Sequence, residues 1–174
     1  MSTVTVAVTG IGWLGAGRRS IVSTIEQMLG TAERELLVCA YRPSPGADIL
    51  LDRLPELLGR GVEVRLVVNH FDEQDRPVRI LLTRLGATYR HFEVYDFRDG
   101  SLDLHAKVIV VDRSSALVGS ANLSRRGIRT NHELAVLVEN EAAEDVALAI
   151  DRLTASRFVQ LRLREGSAAE PLET

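Results

Sequence analysis

The chain has 174 residues, of which 45% are hydrophobic and 26% are charged, and its formal net charge is −3. This composition is typical of a soluble globular protein, and the length suits one domain with a sizeable core. The slightly negative net charge excludes a basic surface all round, so any nucleic-acid binding would need a local basic patch.

Apolar runs and the single cysteine predict the compartment. No run approaches the roughly 18 consecutive apolar residues that span a bilayer. The first ten residues carry no positive side chain, which argues against a signal peptide. Cys39 is the only cysteine, and a lone thiol favours a reducing environment. We therefore expect a cytoplasmic protein without membrane association, in which Cys39 is a buried thiol; a nucleophilic role would need an adjacent base that its neighbours do not supply.

Hydrophobic periodicity alternates between strand-like and helix-like segments along the chain. Strands are predicted at residues 4–9, 35–41, 62–69, 88–95, 105–111, 116–120 and 131–139. Helices are predicted at residues 20–29, 48–59, 78–85 and 141–164, with a polar loop at 96–103 and a disordered tail at 165–174. This alternation predicts an α/β/α sandwich with a central mixed sheet, formed by a single domain over residues 1–164.

A glycine-rich turn follows the first strand. Residues 10–15 read Gly-Ile-Gly-Trp-Leu-Gly, the glycine spacing of a dinucleotide-binding turn. Such a site usually has an acidic residue at the end of the next strand, where this chain has Cys39, Ala40, Tyr41 and Arg42. We favour an ordinary flexible turn, although Arg42 leaves a 2′-phosphate ligand open.

The strongest chemical pattern begins at His105. Residues 105–112 read His-Ala-Lys-Val-Ile-Val-Val-Asp, and Lys107 is the only lysine among 21 basic residues. Alternate residues of a strand share a face, so the His105 imidazole and the Lys107 ammonium are predicted to lie together. An imidazole can attack phosphorus while an ammonium binds the nonbridging oxygens, so the pair suits phosphodiester cleavage.

Two further polar segments follow this pattern. Ser120 and Asn122, after Gly119, place neutral hydrogen-bonding groups on one face at the end of a strand. Glu133 begins the next apolar strand, where a carboxylate is costly unless it has a partner. By accepting a hydrogen bond from one ring nitrogen, Glu133 could orient His105 for attack through the other.

These residues resemble the phospholipase D superfamily, whose motif is HxKxxxxD followed by GSxN and a downstream acid. The resemblance implies a phosphohistidine mechanism without a metal or cofactor, in which His105 is the nucleophile or the acid. It also implies that Lys107 and Asn122 bind phosphate, that Ser120 lines the pocket and that Glu133 orients His105. Asp112 and Gly119 complete the motif, and we expect a structural role for Asp112.

The chain carries one copy of the motif, whereas the mechanism uses two histidines. In the family, single-motif chains pair so that two motifs meet, and we therefore expect a homodimer. The alternative use of the other histidines, His70, His91 and His132, is a metal site with Asp72 or Asp103, but their spacing is not that of metal ligands.

Arginines near the motif suggest the substrate. Arg125, Arg126 and Arg129 follow the GSAN segment, and Arg18 and Arg19 follow the glycine-rich turn. They predict contacts with a DNA or RNA backbone, although a solvated cluster in an arginine-rich protein is the alternative. We therefore expect a nuclease with little sequence preference; a phospholipase and an inactive nucleic-acid-binding subunit remain alternatives. The N-terminal segment also resembles phospholipase-D-like proteins of phage-defence systems, which would make other defence subunits its partners.

Overall fold

The computed structural model describes residues 1–13, 17–41, 43, 48–100 and 102–163, without the side chains of Asp48 and Arg125. Its strands are β1 (Val4–Thr9), β2 (Arg19–Ser20), β3 (Glu35–Ala40), β4 (Glu63–Asn69), β5 (Phe92–Phe97), β6 (Val108–Val111), β7 (Ser115–Gly119), β8 (Glu133–Glu139) and β9 (Val159–Leu163). Its α-helices are α1 (Ile21–Thr31), α2 (Asp48–Leu51), α3 (Leu54–Gly59), α4 (Arg76–Thr88), α5 (Arg125–Arg129) and α6 (Glu141–Thr154).

These strands form one mixed sheet in the order β2-β1-β8-β7-β6-β3-β4-β5-β9. Strands β3, β4 and β5 run parallel, as expected for strands joined through helices. Strand β6 is antiparallel to β3, and β6, β7, β8 and β1 are antiparallel in turn. The amino end of β6, the carboxyl end of β7 and the amino end of β8 therefore meet at one edge of the sheet.

Helices cover both faces of this sheet, which confirms the predicted α/β/α sandwich. Strand β3 has apolar side chains on both faces of the sheet. Leu36 and Val38 join the core beneath α1 to α5, and Leu37 and Cys39 join the core beneath α6. Buried residues of α6 recur at helical spacing on the face that meets the second core, namely Ala143, Ala147 and Ile150. None of the helices in the described ranges is long and apolar enough to cross a membrane.

The predicted helix over residues 141–164 is wrong in its second half. Helix α6 ends at Thr154, and residues 159–163 form β9, which pairs antiparallel with β5. The segment Val-Gln-Leu-Arg-Leu alternates apolar and polar residues, which indicates a strand, but the predicted helix extends through it. The predicted disordered tail, residues 165–174, lies outside the described residues.

Other differences concern element boundaries. The predicted helix 48–59 is divided into α2 and α3, since Pro55 occupies the first turn of α3 and cannot continue a preceding helix. The predicted strand 105–111 begins only at Val108, so His105 and Lys107 lie on the segment that leads into it. The short helix α5, which directly follows the GSAN segment, was not predicted.

Candidate active site

The motif residues converge at the sheet edge where β6 begins, β7 ends and β8 begins. Val108 pairs with Val118, and Gly119 pairs with Ala135, so the polar residues beside these pairs lie on adjacent strands. The same edge receives the carboxyl end of β3, because Cys39 pairs with Val108. Neighbouring strand ends thus bring together residues from distant parts of the sequence.

A close pair of side chains lies at the centre of this edge. The Lys107 Nζ is 2.8 Å from the His105 Nδ1 and donates a 2.7 Å hydrogen bond to the His105 carbonyl oxygen. Lys107 is only 8% exposed, whereas His105 is exposed. The ammonium is therefore held in place beneath an imidazole that a substrate can reach.

The electrostatics of Lys107 follow from this burial. Desolvation lowers the pKa of Lys107 from its usual value, and the negative charge of Glu133 partly opposes that change. An ammonium that donates to Nδ1 leaves the proton of a neutral His105 imidazole on Nε2. In this tautomer the His105 Nε2 can donate a hydrogen bond, and attack through Nε2 would require the proton to move to Nδ1.

Tyr41, just beyond β3, packs against this pair and was not predicted as a site residue. Its ring centroid is 5.1 Å from that of His105, and the Lys107 Nζ lies 5.7 Å from the Tyr41 centroid. The phenolic hydroxyl donates to the Asp103 Oδ2 at 3.3 Å. Tyr41 therefore restricts the orientation of the imidazole and gives the ammonium a cation–π contact.

Asp103 anchors the segment that leads to His105. Its Oδ1 accepts a 2.8 Å hydrogen bond from the Asn69 Nδ2 and lies 3.2 Å from the His70 Nε2. The hydrogen bond from Asn69 is the main cause that lowers the pKa of Asp103. Asn69 is 1% exposed, and its Oδ1 also accepts from the Leu104 backbone N–H at 2.9 Å. A polar Asn-His pair at the end of the apolar strand β4 was the sequence signal for this anchor.

Glu133 does not contact His105 as expected. Its carboxylate accepts hydrogen bonds from the Ser120 hydroxyl and, at 3.2 Å, from the Asn131 Nδ2. Within the described chain, the expected hydrogen bond from the His105 ring to the Glu133 carboxylate is therefore absent, and this corrects the sequence interpretation. The reason is the pairing of β7 with β8, which places Ser120 beside Glu133.

Asn122 faces the interior of this region. Its Oδ1 is buried and has no hydrogen-bond partner among the described residues. A buried amide without a partner costs free energy unless a ligand or water satisfies it. Because an amide oxygen accepts hydrogen bonds, a donor such as water could satisfy it, whereas a phosphoryl oxygen could not.

Asp112 and Gly119 contribute to the framework around the site. The Asp112 carboxylate accepts three backbone hydrogen bonds, from Glu33, Arg34 and Glu35, at 2.8–3.0 Å. A Cβ on Gly119 would lie 2.5 Å from the Cβ of Ala135, so only glycine fits where β7 approaches β8. The structure gives both residues contacts within the fold and none with His105.

The predicted substrate-binding arginines lie on α5, which packs against α1 and β1. The side chains of Arg126 and Arg129 are exposed, and the side chain of Arg125 lies outside the described part. The hydroxyl of Ser124 caps the helix by accepting from the Gly127 N–H at 3.2 Å. The helix thus holds two guanidiniums in solvent just beyond the GSAN segment.

Other candidate residues are engaged elsewhere. Burial raises the pKa of the Cys39 thiol to about 12, which does not suit a nucleophile.

Gly12 of the glycine-rich turn donates its N–H to the His132 Nε2 at 2.9 Å, and a Cβ on Gly10 would lie 2.8 Å from the Asn131 carbonyl oxygen. The described part of this turn therefore lies close against Asn131 and His132. Across the described ranges, no three His, Cys, Asp or Glu side chains are grouped as metal ligands.

Comparison with known proteins identifies the family. The family model described as "Cardiolipin synthase, PLD-like domain" matches residues 25–154, which include the whole site. The chain is 34% identical over 123 residues to DISARM protein DrmC from Bacillus paralicheniformis, covering 71% of this chain and 51% of DrmC. It is 30% identical over 163 residues to cardiolipin synthase A from Pseudomonas aeruginosa, covering 85% of this chain and 32% of the synthase. The chain thus spans about half or less of these relatives.

Two solved structures share the fold. Nuc from Salmonella typhimurium, a phospholipase D family member, superimposes with a TM-score of 0.70 and 20% identity, covering 95% of this chain and 99% of Nuc. Phosphatidylserine synthase from Haemophilus influenzae superimposes with a TM-score of 0.70 and 19% identity, covering 94% of this chain and 41% of the synthase. With the His105–Lys107 pair at the centre of its site, the chain belongs to the phospholipase D superfamily of phosphodiesterases.

Proposed function

We propose that this protein is a metal-independent nuclease that cleaves DNA or RNA through a phosphohistidine intermediate on His105. The observation that carries the proposal is the buried Lys107 ammonium held 2.8 Å from an exposed imidazole. A fixed positive charge beside a nucleophile stabilises the charge that develops on phosphoryl oxygens in the transition state.

The reaction has two steps with defined roles. In the first, one His105 with its proton on Nδ1 attacks phosphorus through Nε2, the P–O bond to the leaving oxygen breaks, and a second His105, present as the imidazolium, gives that oxygen its Nε2 proton. In the second, that imidazole takes a proton from water, whose oxygen attacks phosphorus and breaks the P–N bond. Lys107 and Asn122 bind the nonbridging oxygens throughout, and Ser120 and Glu133 line the same edge.

We infer that the second imidazole comes from another chain. The three other histidines each have a contact of their own: His70 with Asp103, His91 with the Leu58 carbonyl at 3.0 Å, and His132 with Gly12. A homodimer supplies a second His105, so that one neutral imidazole attacks while the other, as the imidazolium, donates its Nε2 proton. Light scattering is expected to show a dimer, and an active monomer would contradict this arrangement.

A nucleic-acid substrate is favoured by the surroundings of the site. Exposed Arg126 and Arg129 follow the GSAN segment on α5, where they can contact successive phosphates. The second candidate is a phospholipid diester, which the matches to cardiolipin synthase A support. Similarity to DISARM protein DrmC supports a role beside other proteins of a phage-defence system.

The direct test is digestion of plasmid and single-stranded DNA in excess EDTA. We expect wild type to cleave and His105→Ala to be inactive, because the nucleophile is removed. His91→Ala is the matched control, since His91 hydrogen-bonds to Leu58 between β5 and α3, away from the motif. Cleavage that EDTA abolishes would contradict the mechanism, and release of a head group from phospholipid vesicles without DNA cleavage would favour the lipid alternative.

A further inference from the structure

A groove of about 710 Å³ lies beside the active site, between the end of β1, the start of α1 and helix α5. Trp13 forms part of its wall and is 39% exposed. Val22 and Ile128 contribute apolar surface on either side. The groove therefore presents an accessible aromatic face above apolar side chains.

Guanidinium groups supply the charge of this groove. Arg18, Arg19 and Arg129 line it, and no Asp or Glu is among its lining residues. All three arginines are exposed, and Arg19 also donates to the Gln27 Oε1 at 3.2 Å. In a chain with a net charge of −3, this cluster forms a local positive surface that favours an anionic ligand.

The backbone connects the groove to the catalytic edge. Thr9, which lines the groove, pairs with Glu133 in the sheet. The turn that carries Trp13 is held by the hydrogen bond from Gly12 to His132, the residue immediately before Glu133. A nucleic-acid strand that leaves the catalytic edge past the carboxyl end of β1 therefore enters the groove.

We propose that this groove binds a single-stranded segment of nucleic acid, with an unpaired base stacked on Trp13 and its phosphates bound by Arg18, Arg19 and Arg129. Stacking on an exposed indole requires a free base face, which a duplex does not offer, and adjacent guanidiniums follow a phosphate backbone without reading its sequence. The proposal rests on the nuclease activity proposed above and adds the preferred form of the substrate.

The chain contains its own probe, because Trp13 is the only tryptophan. In EDTA, the His105→Ala variant is titrated with oligothymidylate, with a duplex of the same length and with inorganic polyphosphate. Oligothymidylate is expected to quench the tryptophan fluorescence, since stacking places a base against the indole, and the other two ligands are expected to quench it weakly. Equal quenching by polyphosphate, or none by oligothymidylate, would overturn the proposal.

Substitution measures the contribution of the stack. In the same His105→Ala background, Trp13→Ala is expected to weaken oligothymidylate binding by about 5- to 150-fold, the range for loss of one stacked base. Trp13→Phe should retain most of the affinity. The matched control is Phe158→Ala, since Phe158 is 38% exposed beside Arg157 near β9, at the opposite edge of the sheet. An equal loss in the control would overturn the assignment to this groove.

Cleavage assays separate the groove from the catalytic proposal. With His105 intact, Trp13→Ala should lower cleavage of the oligonucleotide more than cleavage of bis(4-nitrophenyl) phosphate, which is too small to reach both regions. If His105→Ala cleaves both substrates, the catalytic proposal fails while the binding data still decide the groove. If Trp13→Ala instead weakens binding only to anionic phospholipid vesicles, the groove is a lipid site and this inference is wrong.

Discussion

The Asp112 carboxylate is expected to stabilise the fold and not to take part in the reaction. Its Oδ1 accepts from the Arg34 and Glu35 backbone N–H groups, both at 2.8 Å, and its Oδ2 accepts from Glu33 at 3.0 Å. These donors lead into β3, the central strand that packs on both cores. Asp112 thus ties the end of β6 to the start of its neighbour.

The effect of Asp112→Ala follows from these contacts. A hydrogen bond to a charged group contributes about 1.5–3 kcal/mol when buried, and solvent near this exposed turn lowers that to about 1 kcal/mol each. Asp112 has φ 51°, and alanine in the left-handed region costs about 1 kcal/mol more. The total loss is about 4 kcal/mol, which at about 2–4 °C per kcal/mol lowers Tm by roughly 8–16 °C.

Thermal and urea unfolding of three variants tests this sum. Asp112→Asn keeps the amide oxygen for two of the three donors and should lose less than alanine. Asp112→Gly loses every side-chain hydrogen bond but relieves the strain of the left-handed backbone. Its free energy of unfolding should therefore be about 1 kcal/mol higher than that of Asp112→Ala. Asp145→Ala, an exposed position on α6, is the control and should change stability by less than about 0.5 kcal/mol.

Activity measurements distinguish a substitution that lowers stability from one that removes a catalytic group. Well below its melting temperature, Asp112→Ala should retain phosphodiesterase activity per folded molecule, unlike His105→Ala. The reasoning would be refuted by an Asp112→Ala protein that melts with the control and yet has no activity.

Three other predictions concern single groups. Tyr41→Ala should lower kcat by about 10- to 100-fold with little change in KM, because the ring that orients His105 is lost, whereas Tyr41→Phe keeps the ring and most of the activity. Lys107 is the only lysine, so ¹⁵N-lysine labelling gives one side-chain NMR signal whose pKa should lie below its usual value. Glu133→Gln should lower the pKa of Lys107 further, since the carboxylate charge raises it. Cys39, whose pKa is raised to about 12, should resist thiol reagents at pH 8 until the protein is unfolded.

The Tyr41 and Glu133 predictions each have a matched control. Tyr89→Ala removes a similar ring, 5.7 Å from that of His91 and away from the motif, and should leave KM and kcat unchanged. Glu141→Gln removes a carboxylate at the start of α6 and should leave the Lys107 signal unchanged. A Lys107 pKa that rises in Glu133→Gln would contradict the charge assignment. Rapid labelling of native Cys39 would contradict its burial.

Local patterns carried most of the predicted secondary structure. The apolar run of β3 and the alternation of β1 predicted strands because a side chain's direction depends only on its position in the repeat. The same rule predicted that His105 and Lys107 lie together; their nitrogen atoms are 2.8 Å apart, although both residues precede the strand β6. The prediction is wrong after Thr154, because it extends the helix over the alternating apolar and polar residues that form β9.

Contacts between distant segments were beyond such patterns. Tyr41 and Asp103 are 62 residues apart, and Asn69 reaches Asp103 across 34 residues. No local periodicity relates these positions, because they meet only through the order in which the strands pair. The partner of Glu133 was mispredicted for the same reason, since the register of β7 against β8 gives it Ser120.

The amino-acid sequence by itself determined the fold class, the motif and the residues that we propose act on a phosphodiester. The tertiary structure decided which of them meet, how deeply Lys107 is buried, and that Trp13 and three arginines share one groove beside the site. The physical reason is range: side-chain alternation and helix spacing act over a few residues, whereas burial and polar pairing depend on strand order and register across the whole sheet.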